Sequence, residues 1–239
     1  MEIRVRCPDC GKTNLSINTE KRVGWCHRCK KVFSREQIDN GLLRKREEKT
    51  QRVLHSPPPL VLAWDDRAAS EYLRKRLVSQ EDAPSVYYDR TGRRLYFRVQ
   101  SPSPDLPASW HTRGLTSEDG WRVFPGTDKK RYVYCTNSAL LSRPGGAVCV
   151  VEGIFDAIRL GGRAVSLLGT DYSPMHHIFL KSFDRVIVWM DPDQAGESAT
   201  RKILERLQGR DVTVISDLKE PGDLAPNDPD LRRVRTMLS

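Results

Sequence analysis

The stretch Ala147-Val148-Cys149-Val150-Val151-Glu152-Gly153-Ile154-Phe155-Asp156, taken with Val186-Ile187-Val188-Trp189-Met190-Asp191-Pro192-Asp193-Gln194-Ala195-Gly196, decides the fold class. Each begins as an unbroken apolar run, the pattern of a strand buried on both faces in a parallel sheet. Each run ends on a carboxylate and passes into a helix-like pattern, through Leu160 in the first case and from Glu197 to Gln208 in the second. Between them lie a third strand pattern, Ala164 to Leu168, then Gly169-Thr170 and a helical stretch through Leu180. A fourth strand, Val212 to Ile215, precedes Lys219-Glu220-Pro221-Gly222-Asp223-Leu224. Strands alternating with helices predict an α/β fold with a doubly wound, Rossmann-like parallel sheet. Carboxylates at the C-terminal ends of such strands stand where open α/β sheets bind ligands.

Asp191 and Asp193 are two apart, so in extended backbone they face one side. Pro192 stiffens the turn between them. Glu152, from another strand end, can converge on the same spot. Clustered carboxylates repel one another unless a hard cation lies between them, and Mg²⁺ takes a few carboxylates plus water and substrate phosphates. That set is the equipment of metal-assisted nucleotidyl or phosphoryl transfer. A lone Asp-x-Asp is more often a pair of solvated acids at a strand end. The ordered Glu-Gly and Asp-x-Asp-x-Ala-Gly on successive strand–helix units favours the metal.

Four of the six cysteines fall early, as Cys7-Pro8-Asp9-Cys10 and Cys26-His27-Arg28-Cys29, with fifteen residues between the pairs. This spacing is a strong zinc signature. Short strands are expected at Thr13 to Ile17 and Val23 to Trp25. His27 and Arg28 are expected as exposed tip residues, because four thiolates already complete a zinc site. A disulfide pair is disfavoured by the lack of an apolar leader in MEIRVRCPDC. Lys21, Arg22, Trp25, Lys30 and Lys31 suit a single nucleic-acid strand by charge neutralisation and stacking. Trp25 packed inside a solvated basic ribbon is the equal alternative. Cys149 reads as a small buried hydrophobe and Cys135 as a left-over thiol.

Across the 239 residues the formal net charge is +9, and it is unevenly spread. Residues 1–60 carry a balance of +7, residues 61–143 of +4 and the remainder −2. A basic front and an acidic back suit a polyanion held by one half while carboxylates work in the other. Hydrophobic residues make up 38% of the chain, which excludes a long disordered polymer. No run approaches the roughly 18 apolar residues of a membrane span, and a cytoplasmic protein is expected. Arg44 to Lys49 and His55-Ser56-Pro57-Pro58-Pro59 read as a tether. Asp66 to Leu77 has helical spacing, and Arg94 to Val99, Trp110 to Leu115 and Arg131 to Tyr134 read as basic strands. The expected organisation is a zinc ribbon at 1–40, a linker at 41–60, a basic α+β subdomain at 61–143, a catalytic domain at 144–226 and a tail at 227–239.

These residues resemble the TOPRIM family, found in primases, type IA and II topoisomerases and several nucleases. Val151-Glu152-Gly153-Ile154-Phe155-Asp156, Gly169-Thr170 and Asp191-Pro192-Asp193-Gln194-Ala195-Gly196 are similar to its primase branch. The order of zinc ribbon, linker, basic subdomain and TOPRIM also resembles bacterial and phage primases, and the four-Cys set looks like the phage primase-helicase type. The resemblance implies a DNA primase that makes short RNA primers on single-stranded DNA from ribonucleoside triphosphates. It implies one structural Zn²⁺ on Cys7, Cys10, Cys26 and Cys29, and catalytic Mg²⁺ or Mn²⁺ on Glu152, Asp191 and Asp193. Either Glu220 or Asp223 would supply a further acid, and Asp156 would support the site. Arg93, Arg113, Lys130 and Arg131 correspond to phosphate-contacting positions. No G-x-x-x-x-G-K-[ST] loop is present, so a replicative helicase partner would be encoded separately. The rivals are a non-catalytic DNA-binding protein of the recombination-mediator kind, a TOPRIM nuclease, and a replication-regulating fragment without activity.

Overall fold

A computed structural model of the chain describes residues 2–5, 7–10, 12–18, 20–38, 57–116, 118–125, 127–216 and 219–238. The chain divides into two units, residues 1–54 and 55–239. Residues 39–56, which include most of the linker expected at 41–60, lie outside the described residues, as do Gly11 and Gly126.

The first unit is an antiparallel sheet in chain order: β1 (Glu2–Val5), β2 (Leu15–Asn18), β3 (Val23–Cys26) and β4 (Val32–Phe33). A single turn, α1 (Arg35–Gln37), follows, with the Ser34 and Gln37 side chains satisfying each other's backbone N–H groups. Register places Leu15 beside Cys26 and Gly24 beside Phe33 on one face. The core on that face is Cys7, Leu15, Ile17, Cys26, Phe33 and Ile38. So few buried groups do not hold a fold on their own, and a bound metal is the usual supplement. The opposite face carries Val23, Trp25 and Val32, all exposed. Trp25, 40% exposed, is thus a surface residue and not a core one.

The second unit starts with β5 (Val61–Leu62), α2 (Arg67–Lys75), β6 (Val86–Asp89), β7 (Arg94–Val99), β8 (Ser109–Gly114) and β9 (Trp121–Val123). The strands form an antiparallel meander in that order. Asp66 caps α2 by accepting from the N–H groups of Ala68 and Ala69. A short 3₁₀ turn (Lys129–Arg131) and α3 (Ala139–Ser142) lead to β10 (Ala147–Val151), α4 (Ile154–Leu160), β11 (Ala164–Ser166) and α5 (Pro174–Leu180). β12 (Arg185–Trp189), α6 (Gln194–Arg206), β13 (Asp211–Val214) and α7 (Pro229–Met237) complete the chain. The second sheet is wholly parallel, in the order β11-β10-β12-β13.

Alternate residues of the parallel strands feed two cores. Cys149, Val151, Ile187 and Trp189 face α4 and α7, joining Ile154, Ala157, Leu231 and Val234. Val148, Val150, Val186 and Val188 face α5 and α6, joining Phe179, Leu180, Ala199 and Ile203. The first core also takes in Leu95, Phe97 and Tyr134, so it runs on into the antiparallel sheet. Phe97 meets Phe155 edge-on at 5.7 Å and Tyr134 edge-on at 6.0 Å.

Residues 131–134, expected as a strand, are different. Arg131 closes the 3₁₀ turn, and the next residues make single bridges, Gln100 to Val133 and Tyr134 to Ser166. The segment ties one sheet to the other, so it joins neither ladder at length. Cys135 and Cys149 are both buried, and burial pushes the Cys135 thiol up to about 11 and raises that of Cys149 as well. Among the described residues no helix is long and apolar enough to cross a membrane.

Candidate functional site

In the first unit, the loop after β1 supplies Cys7 and Cys10, and the end of β3 with its following turn supplies Cys26 and Cys29. The turn closes through Lys30 N–H donating to the Cys26 carbonyl at 2.9 Å and Cys26 N–H donating to the Lys31 carbonyl at 3.0 Å. The four sulfurs lie within 4.8 Å of one another. The Cys7–Cys29 and Cys10–Cys26 Sγ separations are both 3.7 Å. Thiolates about 2.3 Å from a tetrahedral zinc stand about 3.8 Å apart, so the set fits that ion. Backbone N–H groups of Cys29 and Arg28 lower the Cys26 thiol to about 6, while its hydrogen bond with Cys26 raises the Cys29 thiol to about 12, so the two titrate as a pair.

In the second unit, Val151 of β10 and Trp189 of β12 are register partners on neighbouring strands. Glu152 is thus level with Met190, and Asp191 follows one residue later at the same edge of the sheet. From β10 the chain crosses to β11 on one side, while β12 lies on the other, which makes this edge the switch point of the sheet. The turn after β12 is tight. Asp193 N–H donates to the Asp191 carbonyl at 2.8 Å, and Asp193 Oδ1 accepts from Gly196 N–H at 2.7 Å as the cap of α6. A Cβ on residue 196 would stand 2.1 Å from the Asp191 carbonyl oxygen, so only glycine closes this turn.

Asp156, buried in the first turn of α4, accepts from Gly153 N–H at 3.0 Å and from Gly222 N–H at 2.8 Å. Trp189 Nε1–H donates to the Lys219 carbonyl at 3.2 Å. These bonds bring the 219–223 turn, with Glu220 and Asp223, to the strand ends. Burial first, and then Asp191, Asp193, Asp156 and Glu220, push the Glu152 carboxyl up to about 7. Burial and the neighbouring Asp156, Asp193 and Asp223 raise Asp191 to about 6. Burial raises Asp156 to about 6 against the pull of its two N–H donors. Glu152 Oε2 and Asp191 Oδ1 are buried with no hydrogen-bond partner. Orphaned oxygens among mutually repelling acids fit a hard divalent cation. Among the described residues no three of these carboxylates draw together as tightly as the cysteines do. Unneutralised like charges at low dielectric keep apart.

Glu152, Asp156, Asp191, Glu220 and Asp223 line one side of a cleft of about 460 Å³. The facing side is His111, Arg113, Trp121 and Val123 from β8 and β9, with Arg76 and Lys129. Arg113 and His111 are two apart on β8 and share a face, and Arg113 pairs with Trp121. Arg113 Nε donates to the Tyr72 hydroxyl at 3.1 Å, and its Cζ lies over the Trp121 ring at 5.6 Å. His111 stacks on Trp121 at 5.0 Å, and burial lowers its imidazole to about 4, so it is neutral at pH 7. Acids and cations thus face each other across one gap.

Of the sequence-selected cations, Arg113 lines the cleft, while Arg93, Lys130 and Arg131 do not. Arg93 is exposed in the β6–β7 hairpin. In the 3₁₀ turn Lys129 lines the cleft with its Nζ 3.5 Å from Asp171, Lys130 Nζ reaches the same carboxylate at 4.0 Å from outside the lining, and Arg131 is exposed. Asp193 lies outside the lining and serves as a cap. Arg76, His111, Trp121 and Lys129 escape sequence reasoning. For Lys129 the basic run was a signal, but one that could not say which member turns inward.

Residues 146–216 match the Toprim domain family. No curated protein matches the chain in sequence. Among solved structures, the chain is similar to the zinc-binding and RNA polymerase domains of the Aquifex aeolicus primase. That match has a TM-score of 0.54 at 16% identity, over 99% of this chain and 78% of that one. It is similar to the primase fragment of the bacteriophage T7 primase-helicase, with a TM-score of 0.52 at 15% identity, over 92% of each chain. The DnaG catalytic core gives 0.54 at 21% identity, over 84% of this chain and 78% of that one. The fold is that of the primases. Within this primase fold the Toprim match spans the parallel sheet from Gly146 to Ser216, so Glu152 and Asp191 fall inside it and the facing cations outside it.

Proposed function

We propose that the chain is a DNA primase that joins ribonucleotides into short RNA primers on a single-stranded DNA template. The observation that carries this reading is the cleft with two unlike walls. Glu152 and Asp191, with buried unpartnered oxygens, lie opposite Arg113 and Lys129. Glu152, Asp191 and Asp193, with Glu220 or Asp223 as a further acid, would hold Mg²⁺ or Mn²⁺. Such an ion supplies charge neutralisation at the α-phosphate and acidifies the attacking hydroxyl.

The chain's own groups do the rest. Arg113 and Lys129 hold the triphosphate against the repulsion of the acidic wall. Asp156 fixes the 219–223 turn relative to Glu152 and so sets where the acids stand. The 3′-hydroxyl oxygen bonds to the α-phosphorus and its proton passes to solvent as the bond to the β-phosphate breaks, and pyrophosphate leaves. Arg93, Lys130 and Arg131, exposed outside the cleft, suit the template backbone. Cys7, Cys10, Cys26 and Cys29 hold zinc, and the exposed Trp25 offers a face for template bases. A replicative helicase would present the single strand.

The test is to incubate the full chain with single-stranded DNA, ribonucleoside triphosphates and Mg²⁺ or Mn²⁺. A ladder of short RNA is expected, abolished by Asp191→Ala and by Glu152→Ala. DNA binding without incorporation would replace this reading with the recombination-mediator one, and shortening of labelled DNA with a nuclease.

A further inference from the structure

His176 is wholly buried on α5, and both of its ring nitrogens are bonded. Nε2 lies 3.0 Å from the Tyr132 carbonyl, and a carbonyl only accepts, so Nε2 carries the proton. Nδ1 then accepts from the Ser173 N–H at 3.4 Å. The two bonds fix the neutral imidazole in one tautomer, and burial lowers its pKa as well. Ser173, the cap of α5, donates its hydroxyl to the Lys130 carbonyl at 2.6 Å and accepts from His176 N–H at 3.1 Å.

The two gripped carbonyls, of Lys130 and Tyr132, stand on either side of Arg131. The turn closes through Arg131 N–H donating to the Asp128 carbonyl at 2.9 Å and Tyr132 N–H donating to the Lys129 carbonyl at 3.2 Å. A single 3₁₀ turn is a weak element by itself. Holding two of its carbonyls from α5 fixes its rotation, and with it which of three consecutive basic side chains meets the cleft. Lys129 lines the cleft, and Lys130 and Arg131 do not. Charge does not make that choice. Asp171 reaches both ammonium groups, Lys129 at 3.5 Å and Lys130 at 4.0 Å, and the acidic wall attracts any cation alike.

Resting on the primase reading of the cleft, we propose that His176, with Ser173, is the positioning residue that selects Lys129 from the basic run to face the substrate. A residue that merely held the fold together would weaken both lysines' roles alike, whereas a selector decides which lysine matters. The probe is inorganic tripolyphosphate with Mn²⁺, titrated calorimetrically into the zinc-loaded full chain at low salt. In the parent, Lys129→Ala should weaken binding roughly tenfold and Lys130→Ala less than about threefold. In a His176→Phe background the two alanine substitutions should cost the same, to within about a factor of two. His176→Gln, whose amide can donate to Tyr132 and accept from Ser173, should keep the parent's contrast. Ser173→Ala frees the Lys130 carbonyl with little loss of core volume, and it should narrow the contrast if the Phe variant does not fold. An undiminished contrast in the folded His176→Phe chain, or in Ser173→Ala where that chain does not fold, would overturn the proposal. Equal costs of the two lysines in the parent would overturn it as well. Absence of tripolyphosphate binding by the unaltered chain would also overturn it, while primer synthesis by that chain would keep the primase reading. If the contrast shifts as expected and no primer forms, this assignment stands and the primase reading falls.

Discussion

Asp156 accepts a hydrogen bond from the backbone N–H of Gly222 at 2.8 Å, across 66 residues of sequence. The bond joins the first turn of α4 to the turn that carries Glu220 and Asp223, and it leaves no room beside it. A Cβ on residue 222 would stand 2.7 Å from Asp156 Oδ1. Gly222→Ala should therefore push the acidic turn away from Glu152. Expected are a loss of about 1–2 kcal/mol in urea unfolding and at least a tenfold drop in primer synthesis. An active, fully stable alanine variant would show that the turn's placement is immaterial.

Three adjacent cations offer a contrast within one turn. Both lysines reach Asp171, Lys129 Nζ at 3.5 Å and Lys130 Nζ at 4.0 Å, but only Lys129 lines the cleft, where its ammonium would stand 3.2 Å from a Cβ on Gly169. Lys129→Ala should raise the KM for nucleoside triphosphate roughly tenfold, and Lys130→Ala by less than about threefold. Equal effects in a steady-state assay would mean that general positive charge, and not position, matters.

The acids predict a pH dependence with a definite sign. Glu152 is raised to about 7, and Asp191 and Asp156 to about 6, above the usual carboxylate range near 4. The folded state thus holds these protons more tightly than the unfolded one. Their contribution to stability is complete below about pH 4 and is lost as pH rises through 6 to 7. With zinc retained and no magnesium, the urea midpoint should fall between pH 5 and 8. Asp191→Asn should flatten that fall, and millimolar Mg²⁺ should restore the midpoint at pH 8. A variant with the same slope as the parent would refute the electrostatic origin.

Zinc should account for the order of the first unit. One zinc per chain is expected by atomic absorption, and none in Cys26→Ser. Chelation should remove the ellipticity of β1 to β4 while the tryptophan fluorescence change of residues 55–239 stays cooperative in urea. A metal-free chain with an intact first unit would contradict this.

The apolar runs at 147–151 and 185–189 were plain in the sequence because a parallel strand buried on both faces admits no polar interruption. The four cysteines were equally plain, since a metal fixes both residue type and spacing. The acids at strand ends followed from those runs. The facing wall was less legible. β9 has three residues and β4 two, and strands that short are defined by the partner they pair with and not by their own pattern. Arg76 looks like any cation near a helix end until Arg159, more than 80 residues away, grips its carbonyl. The stretch expected only as a tail is instead the core-packed helix at 229–237, although its sequence carried the marks. Asp228 caps it, Pro229 opens it, and Leu231, Val234 and Leu238 recur at helical spacing, all buried.

The apolar interior runs unbroken from Phe97 and Leu95 through Phe155 to Val151 and Trp189, beneath both banks of the cleft. Banks that share a keel do not work as jaws. Widening the gap would tear close-packed rings apart, so the catalytic half should melt in a single calorimetric transition. If the cleft works as proposed, selection among substrates would fall to a preset mould, and movement would belong to the template and the growing primer.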